Sequence, residues 1–271
     1  MRKLIFVTTK SILNAVFLKK YSSLSSRFLI ELAGYDTLKN IPLETVTLPT
    51  RENVDYQKYE IQYTLINGYT PFHDLDLCQD VLSFLAEMYF YRRLIINNMP
   101  ILNIKKGEDI WQDIKIVCEQ YADKVKSPLK LSNGLHDEFT KHYKLGVFTD
   151  AKPHHFIRSK NQVCRVDFDG FATAHILSDT AQFTTYMQIE GKMSHGDMWK
   201  FCSGFLSKIN IPITKRSKQI FWFLCLYSNL RKRPYVYERD LIMGKALDHT
   251  LEPLIDLILT EEKLVGDSSK W

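Results

Sequence analysis

The sequence predicts an α+β fold in two unequal lobes, a reduced N-terminal β lobe and a mainly helical C-terminal lobe. Three observations point there. Up to residue 66 the apolar residues come mostly in short extended blocks around one helical stretch. From residue 67 they recur at helical spacing, and residues 146–170 return to short extended runs broken by polar turns. The expected division is therefore 1–66 and 67–271. A chain of 271 residues suits two lobes sharing one cleft better than a string of modules.

Element by element, Arg2 to Thr8 and Leu13 to Tyr21 are rich in Val, Ile, Leu and Phe, and Thr9-Lys10-Ser11 between them can turn the chain into a hairpin. From Ser25 to Leu38 the period changes. Phe28, Leu32, Tyr35 and Leu38 recur at helical spacing, with Ser25 or Ser26 as the cap. Leu43 to Leu48 and Tyr59 to Ile66 read as further strands, the second ending at the turn signal Asn67-Gly68. Val81, Leu85 and Met88 then mark a helix. Ile110, Ile114, Val117, Cys118, Tyr121 and Val125 form the cleanest amphipathic stripe, and Leu135 to Tyr143 continues the helical region. Beyond the insert, Ile220, Phe223, Leu224, Tyr227 and Leu230 line one helical face, and Leu251 to Leu259 suggests a last helix.

Composition narrows the classes. With 45% hydrophobic and 25% charged residues, the chain is neither disordered nor fibrous. Its five cysteines (Cys78, Cys118, Cys164, Cys202 and Cys225) are odd in number, widely spaced and without a C-x-x-C pair, which favours a reducing compartment and a cytoplasmic location. The start, Met1 to Val7, looks briefly like a signal peptide, but Lys10 interrupts it, no small-residue cleavage site follows, and no apolar stretch is long enough to span a bilayer. Much of the basic character lies in Lys215-Arg216-Ser217-Lys218 and Arg231-Lys232-Arg233. Such clusters are either solvated faces or attractors of phosphate, whether on an anionic membrane surface or on a sugar. Nothing resembles a nucleic-acid-binding motif, so nucleic acid is not an expected partner.

The chemistry concentrates in the insert. Asp150 follows Gly146-Val147-Phe148, Asp167 follows Val163 to Val166, and the Ser159-Lys160-Asn161 turn lets these two runs pair as a hairpin with both acids at one end. Phosphoryl transfer needs such a pair: one carboxylate to orient or deprotonate the acceptor hydroxyl, another to hold Mg²⁺ against the phosphates.

Here the sequence resembles the protein-kinase-like superfamily, with its catalytic loop H-R-D-x-K-P-x-N and metal motif D-F-G. Asp150-Ala-Lys152-Pro153-His154-His155 is similar to the first and Asp167-Phe168-Asp169-Gly170 to the second. Asp150 followed five residues later by His155-Phe156, and then by an Asp-containing strand end, resembles the lipopolysaccharide core heptose kinases. Upstream, Val16-Phe-Leu-Lys19-Lys20 is similar to the strand carrying the phosphate-binding Lys, and Glu31 falls in the next helix where its ion-pair partner belongs. Ser178-Asp179-Thr180-Ala181 resembles the Asp-Pro-Ala stretch of aminoglycoside and choline phosphotransferases. No A-P-E segment for peptide substrates follows Gly170.

The resemblance implies a protein-kinase-like fold binding ATP and Mg²⁺ between the lobes. Asp150 is then the base, with Lys152 beside it, Asp167 the metal ligand and His155 an auxiliary metal or phosphate contact. Lys19 is the phosphate clamp and Glu31 its partner. The implied acceptor is a hydroxyl of a sugar or lipid-linked sugar, reached by peripheral contact with an anionic membrane surface. The sequence departs from the pattern in three places. His155 replaces a metal-binding Asn, Phe148 replaces a His, and no Gly occurs before Gly34 to form the phosphate-covering loop, unless the Thr8 to Ser11 turn replaces it. The alternative is therefore a pseudokinase, a nucleotide-binding or scaffold module without turnover.

Overall fold

The computed structural model describes residues 5–7, 16–102, 106–120, 133–237, 253–254 and 256–257. Its N-terminal portion is an antiparallel sheet in the order β1-β2-β4-β3, made of β1 (Ile5–Val7), β2 (Val16–Lys20), β3 (Arg51–Asp55) and β4 (Glu60–Thr64). The helix α1 (Ser26–Lys39) follows β2. The expected first hairpin forms, with Ile5 opposite Leu18 and Val7 opposite Val16, while its Thr8 to Ser11 turn lies outside the described residues. Strand alternation decides between the two lysines of β2. Lys20 reaches the sheet's outer face and pairs with Glu60 at 2.5 Å, whereas Lys19 points inward with 11% of its side chain exposed.

Ser25 caps α1, its Oγ accepting from the Phe28 amide at 3.3 Å. Phe28, Glu31, Tyr35 and Leu38 then fall on one buried stripe, and the carboxylate among them has no exposed surface.

The Leu43 to Leu48 strand does not form; the strand of this region is β3, from Arg51. The cause is local. Glu87 takes the amides of Glu44 and Thr45 at 3.2 and 3.0 Å, together with the Thr45 hydroxyl, and so withdraws them from any ladder. Only Thr47 pairs, exchanging backbone bonds with Val163 and Arg165. Polar Arg51-Glu-Asn-Val-Asp55 carries no alternating apolar signal, because it is an edge strand.

From Leu77 the chain is mainly helical: α2 (Leu77–Asn98), α3 (Gly107–Gln120), α4 (Asn133–Lys141), α5 (Ser178–Ile189), α6 (His195–Lys208) and α7 (Lys215–Tyr237). Helices α5, α6 and α7 pack together, with α2 against α6. On α3, Ile110 is buried, and Tyr121 and Val125 of its expected stripe lie outside the described residues. Ile220, Phe223, Leu224 and Leu230 are buried on α7, but so are Phe221, Trp222, Cys225 and Leu226. From residue 219 to 226 the helix is buried on all sides and has no polar face, so the expected single stripe is too narrow there. Of Leu251 to Leu259, residues 253–254 and 256–257 are helical and the rest lie outside the described residues. Among the described residues no helix is long and apolar enough to cross a membrane.

The insert folds differently from the hairpin expected. β5 (Leu145–Phe148) pairs with β8 (Ala172–His175), while β7 (Gln162–Arg165) pairs with β6 (Phe156–Ser159) across Lys160 and Asn161. Asp150 at φ 57° and a 3₁₀ turn at Pro153–His155 carry the chain away after β5, so the strand available to β7 is the one that begins at Phe156. The polar turn is where the sequence put it; its partner strands are not.

Candidate active site

A cleft of about 550 Å³ is bounded by β2 (Phe17 to Lys19), the end of β4 (Tyr63 and Thr64) and the turn that carries His154 and His155, with Asp167 to Asp169 at its floor. That volume lies in the range of small-molecule and cofactor sites. The chain leaves β4 through Leu65 and Ile66, which also line the cleft, and crosses at Gly68. A Cβ at Gly68 would sit 2.0 Å from the Arg158 carbonyl oxygen, so only glycine fits where the crossing strand meets β6.

Three carboxylates converge on Lys19. Its Nζ lies 2.6 Å from Glu31 Oε2, 2.7 Å from Asp167 Oδ1 and 3.7 Å from Asp169 Oδ2. Burial pulls the ammonium down, but Glu31, Asp167 and Asp169 together outweigh it and hold Lys19 above its ordinary value. Glu31 is fixed further by the Tyr63 hydroxyl at 2.8 Å and the Phe168 amide at 2.8 Å. Residues from β2, α1, β4 and the loop after β7 thus meet on one carboxylate.

Asp150 and Asp167 both adopt left-handed backbone, at φ 57° and 68°, a region costly for any residue but glycine. His155 bridges them. Its Nδ1 lies 2.9 Å from the Asp150 carbonyl oxygen and its Nε2 3.3 Å from Asp167 Oδ2. Burial pushes the Asp167 carboxyl up, but the His155 hydrogen bond and Lys19 hold it far below the carboxylate range. Burial likewise opposes ionisation of Asp150, and Lys152, His155 and Gln182 overcome it. The Asp150 carboxylate accepts from Lys152 Nζ at 2.5 Å and from Gln182 Nε2 at 2.7 Å.

All six residues expected from the sequence therefore line one region: Lys19, Glu31 and Asp167 in direct contact, and Asp150, Lys152 and His155 beside them. Sequence reasoning did not assign roles to Asp169, Tyr63, Gln182, Asp179 and Arg165. Asp179 is the most consequential of these. From the first turn of α5 its carboxylate accepts the Thr149 amide at 2.7 Å, the Thr149 hydroxyl at 3.0 Å and the Ala151 amide at 3.0 Å, clamping the loop that presents Asp150. Burial pushes its carboxyl up to about 6 in spite of these donors. The signal for Asp169 was already present in Asp-Phe-Asp-Gly, and that for Asp179 in Ser-Asp-Thr-Ala; Gln182 and Tyr63 carry no local signal.

No family model matches the sequence, and no curated protein matches it. Solved structures do resemble the fold. Spectinomycin phosphotransferase in complex with AMP superposes with a TM-score of 0.61 at 10% identity, covering 92% of this chain and 88% of its own. Aminoglycoside 2'-phosphotransferase-IIIa in complex with GDP gives 0.57 at 12% identity, covering 94% and 92%. Choline kinase from Cryptosporidium parvum gives 0.56 at 12% identity, covering 99% and 90%. At these identities the likeness concerns the fold, and it extends over nearly the whole of each molecule: the chain has the protein-kinase-like fold shared by small-molecule phosphotransferases.

Proposed function

We propose that the protein is a Mg²⁺- and ATP-dependent phosphotransferase acting on a hydroxyl of a sugar or lipid-linked sugar. One observation carries this reading. The buried Lys19–Glu31 pair is joined to Asp167, and His155 joins Asp167 to the loop of Asp150, so a phosphate clamp and a metal ligand line the cleft and the proposed base stands next to them. Lobes 1–66 and 67–271 are taken to close on the nucleotide from either side.

The residues present fit the cation. Oxygens of Glu31, Asp167 and Asp169 lie within 4.8 Å of one another, a hard-donor set that suits Mg²⁺, and these three carboxylates outnumber the two cations they share, Lys19 and Arg165, which leaves negative charge for it to balance. Asp167 and Asp169 would hold it, with His155, whose Nε2 lies 3.3 Å from Asp167 Oδ2, as an auxiliary contact. When bound, Mg²⁺ neutralises the phosphate oxygens. Lys19 grips the same phosphates, Glu31 keeps Lys19 aimed, and Asp150, ionised at neutral pH, orients the acceptor hydroxyl and takes its proton. Lys152 and Gln182 hold the Asp150 carboxylate in place.

The acceptor class rests on charge near Asp150. Both Asp150 and Arg231 act electrostatically on the Tyr186 phenol, which supports setting the Arg231 end of α7 toward the acceptor in this reading. Lys232 and Arg233 follow it, their side chains lying outside the described residues. Lys215, Arg216 and Lys218 stand at the other end of α7, about 24 Å away by helical rise. One small sugar cannot span both clusters, whereas an anionic glycolipid in a membrane surface can meet both, as in a lipopolysaccharide-kinase-like role.

Mass spectrometry of a glycolipid and sugar extract incubated with the protein, Mg²⁺ and labelled ATP tests the reading. A labelled phosphosugar or phosphoglycolipid is expected. Nucleotide binding with no labelled product from any pool would favour the pseudokinase.

A further inference from the structure

Arg165, the last residue of β7, has no exposed surface, yet its guanidinium makes one hydrogen bond: Nη2 donates to the Thr149 carbonyl at 2.7 Å. Nε and Nη1 have no hydrogen-bond partner. The group lies against the rings of Phe156, at 5.2 Å, and Phe168, at 5.7 Å. A buried cation with unmet donors is costly, so a compensating interaction is required. Burial pulls the guanidinium below its ordinary value, and the charges of Asp167, Asp150, Asp179 and Glu31 offset that only in part.

The one hydrogen bond falls at a telling place. The Thr149 carbonyl belongs to the peptide group whose rotation is the φ of Asp150, and that φ is in the left-handed region. Asp179 already holds the amides on either side, those of Thr149 and Ala151. The carbonyl between them is free to rotate unless Arg165 holds it.

We propose that Arg165 is a positioning residue that locks the Thr149–Asp150 peptide and thereby aims the Asp150 carboxylate. The lock is a property of the loop itself; its consequence for turnover rests on the phosphotransferase reading above.

Arg165→Met and Arg165→Lys test it. Removing the cation alone leaves the acids beside it uncompensated and costs stability, so the fold of the Met variant is checked first by circular dichroism, and the charge-keeping Lys variant carries the test if it fails. In the ligand-free Met variant, hydrogen exchange at the Thr149 and Ala151 amides should rise about tenfold or more, and kcat should fall about tenfold or more. Affinity for Mg²⁺ with a non-hydrolysable ATP analogue should stay within about threefold, since Lys19 and Asp167 keep their partners. The Lys variant should recover part of both losses, because its ammonium can reach the same carbonyl. Unchanged amide protection, or a kcat within about threefold of wild type, would overturn the proposal. So would a parallel loss of analogue affinity, kcat and melting temperature in both variants, which marks a general packing role. A wild type that neither binds the analogue nor turns over, while the exchange effect is present, would sink the phosphotransferase reading and leave the lock standing.

Discussion

Gly170→Ala separates the aim of Asp150 from every other property of the site. A Cβ at Gly170 would lie 2.4 Å from Asp150 Cβ and 2.7 Å from both its Cγ and its Oδ2, against 3.4–4 Å for ordinary contact. Roughly 1 Å must therefore open. The nearest atom is a Cβ, which moves only with its backbone, and that backbone is held through Asp179 and Arg165. Gly170 is not among the residues with positive φ, so the added methyl acts by collision and not by backbone strain. A displacement of about 1 Å at a catalytic group costs on the order of 10²-fold, or about 2.7 kcal/mol of barrier. Nucleotide affinity should change little, because the three atoms nearest the new methyl all belong to Asp150 and not to Lys19, Glu31 or Asp167. Steady-state kinetics with labelled ATP, beside calorimetry of Mg²⁺ and a non-hydrolysable analogue, would read both quantities. A folded variant with kcat within about threefold of wild type would show that Asp150 does not need this geometry, and would refute the reasoning.

Three further outcomes follow from the same contacts. Glu31→Gln removes the buried anion that receives Lys19, Tyr63 and the Phe168 amide. Breaking a buried pair costs about 3–5 kcal/mol, and since Lys19 keeps Asp167 the expected loss is at the low end, about 3 kcal/mol, read as a fall in the urea midpoint; an unchanged midpoint would contradict it. Asp179 has its carboxyl pushed from 3.8 up to about 6, so the folded state holds that proton more tightly than the unfolded one. Its contribution is therefore full below pH 3.8 and is lost as pH rises through about 6, by at most about 3 kcal/mol. Asp179→Asn should abolish this falling slope in pH-dependent denaturation, and a slope that persists would assign it to another group. Neutralising Lys215, Arg216, Lys218, Arg231, Lys232 and Arg233 should raise the apparent KM for an anionic glycolipid while leaving intrinsic ATP hydrolysis nearly unchanged. An unaffected KM would remove the glycolipid assignment without touching the fold.

Much of this was legible in the chain because the site's chemistry is local in sequence. Asp150, Lys152, His155 and Asp167 fall within eighteen residues of one another, and strand alternation together with a Ser-capped helix is enough to aim Lys19 at Glu31. What could not be read depends on contacts distant in sequence. Glu87 dissolves the expected strand at Leu43 to Leu48 from 42 residues away, measured from Thr45. The insert pairs β5 with β8 rather than β7 because a left-handed Asp150 and a 3₁₀ turn redirect the chain, and neither carries a periodic signal. Asp179 lies 28 residues beyond Ala151, so its capture of the loop amides follows from the packing of α5 and not from a motif in the loop. Arg165 reads in sequence as an ordinary alternating strand residue; only burial reveals its charge at the centre of four acids.

The central claim is that two linked acids divide the labour, Asp167 serving the metal and nucleotide and Asp150 the acceptor hydroxyl. Calorimetry of Mg²⁺ with a non-hydrolysable ATP analogue on Asp167→Asn and Asp150→Ala, set beside their turnover of labelled ATP onto the acceptor pool, tests it directly. Asp167→Asn should lose analogue affinity, since a neutral amide cannot balance the cation, whereas Asp150→Ala should bind as the wild type does and lose turnover by about 10²-fold or more. Unchanged analogue affinity in folded Asp167→Asn, or affinity and turnover falling together in folded Asp150→Ala, would contradict the division of roles.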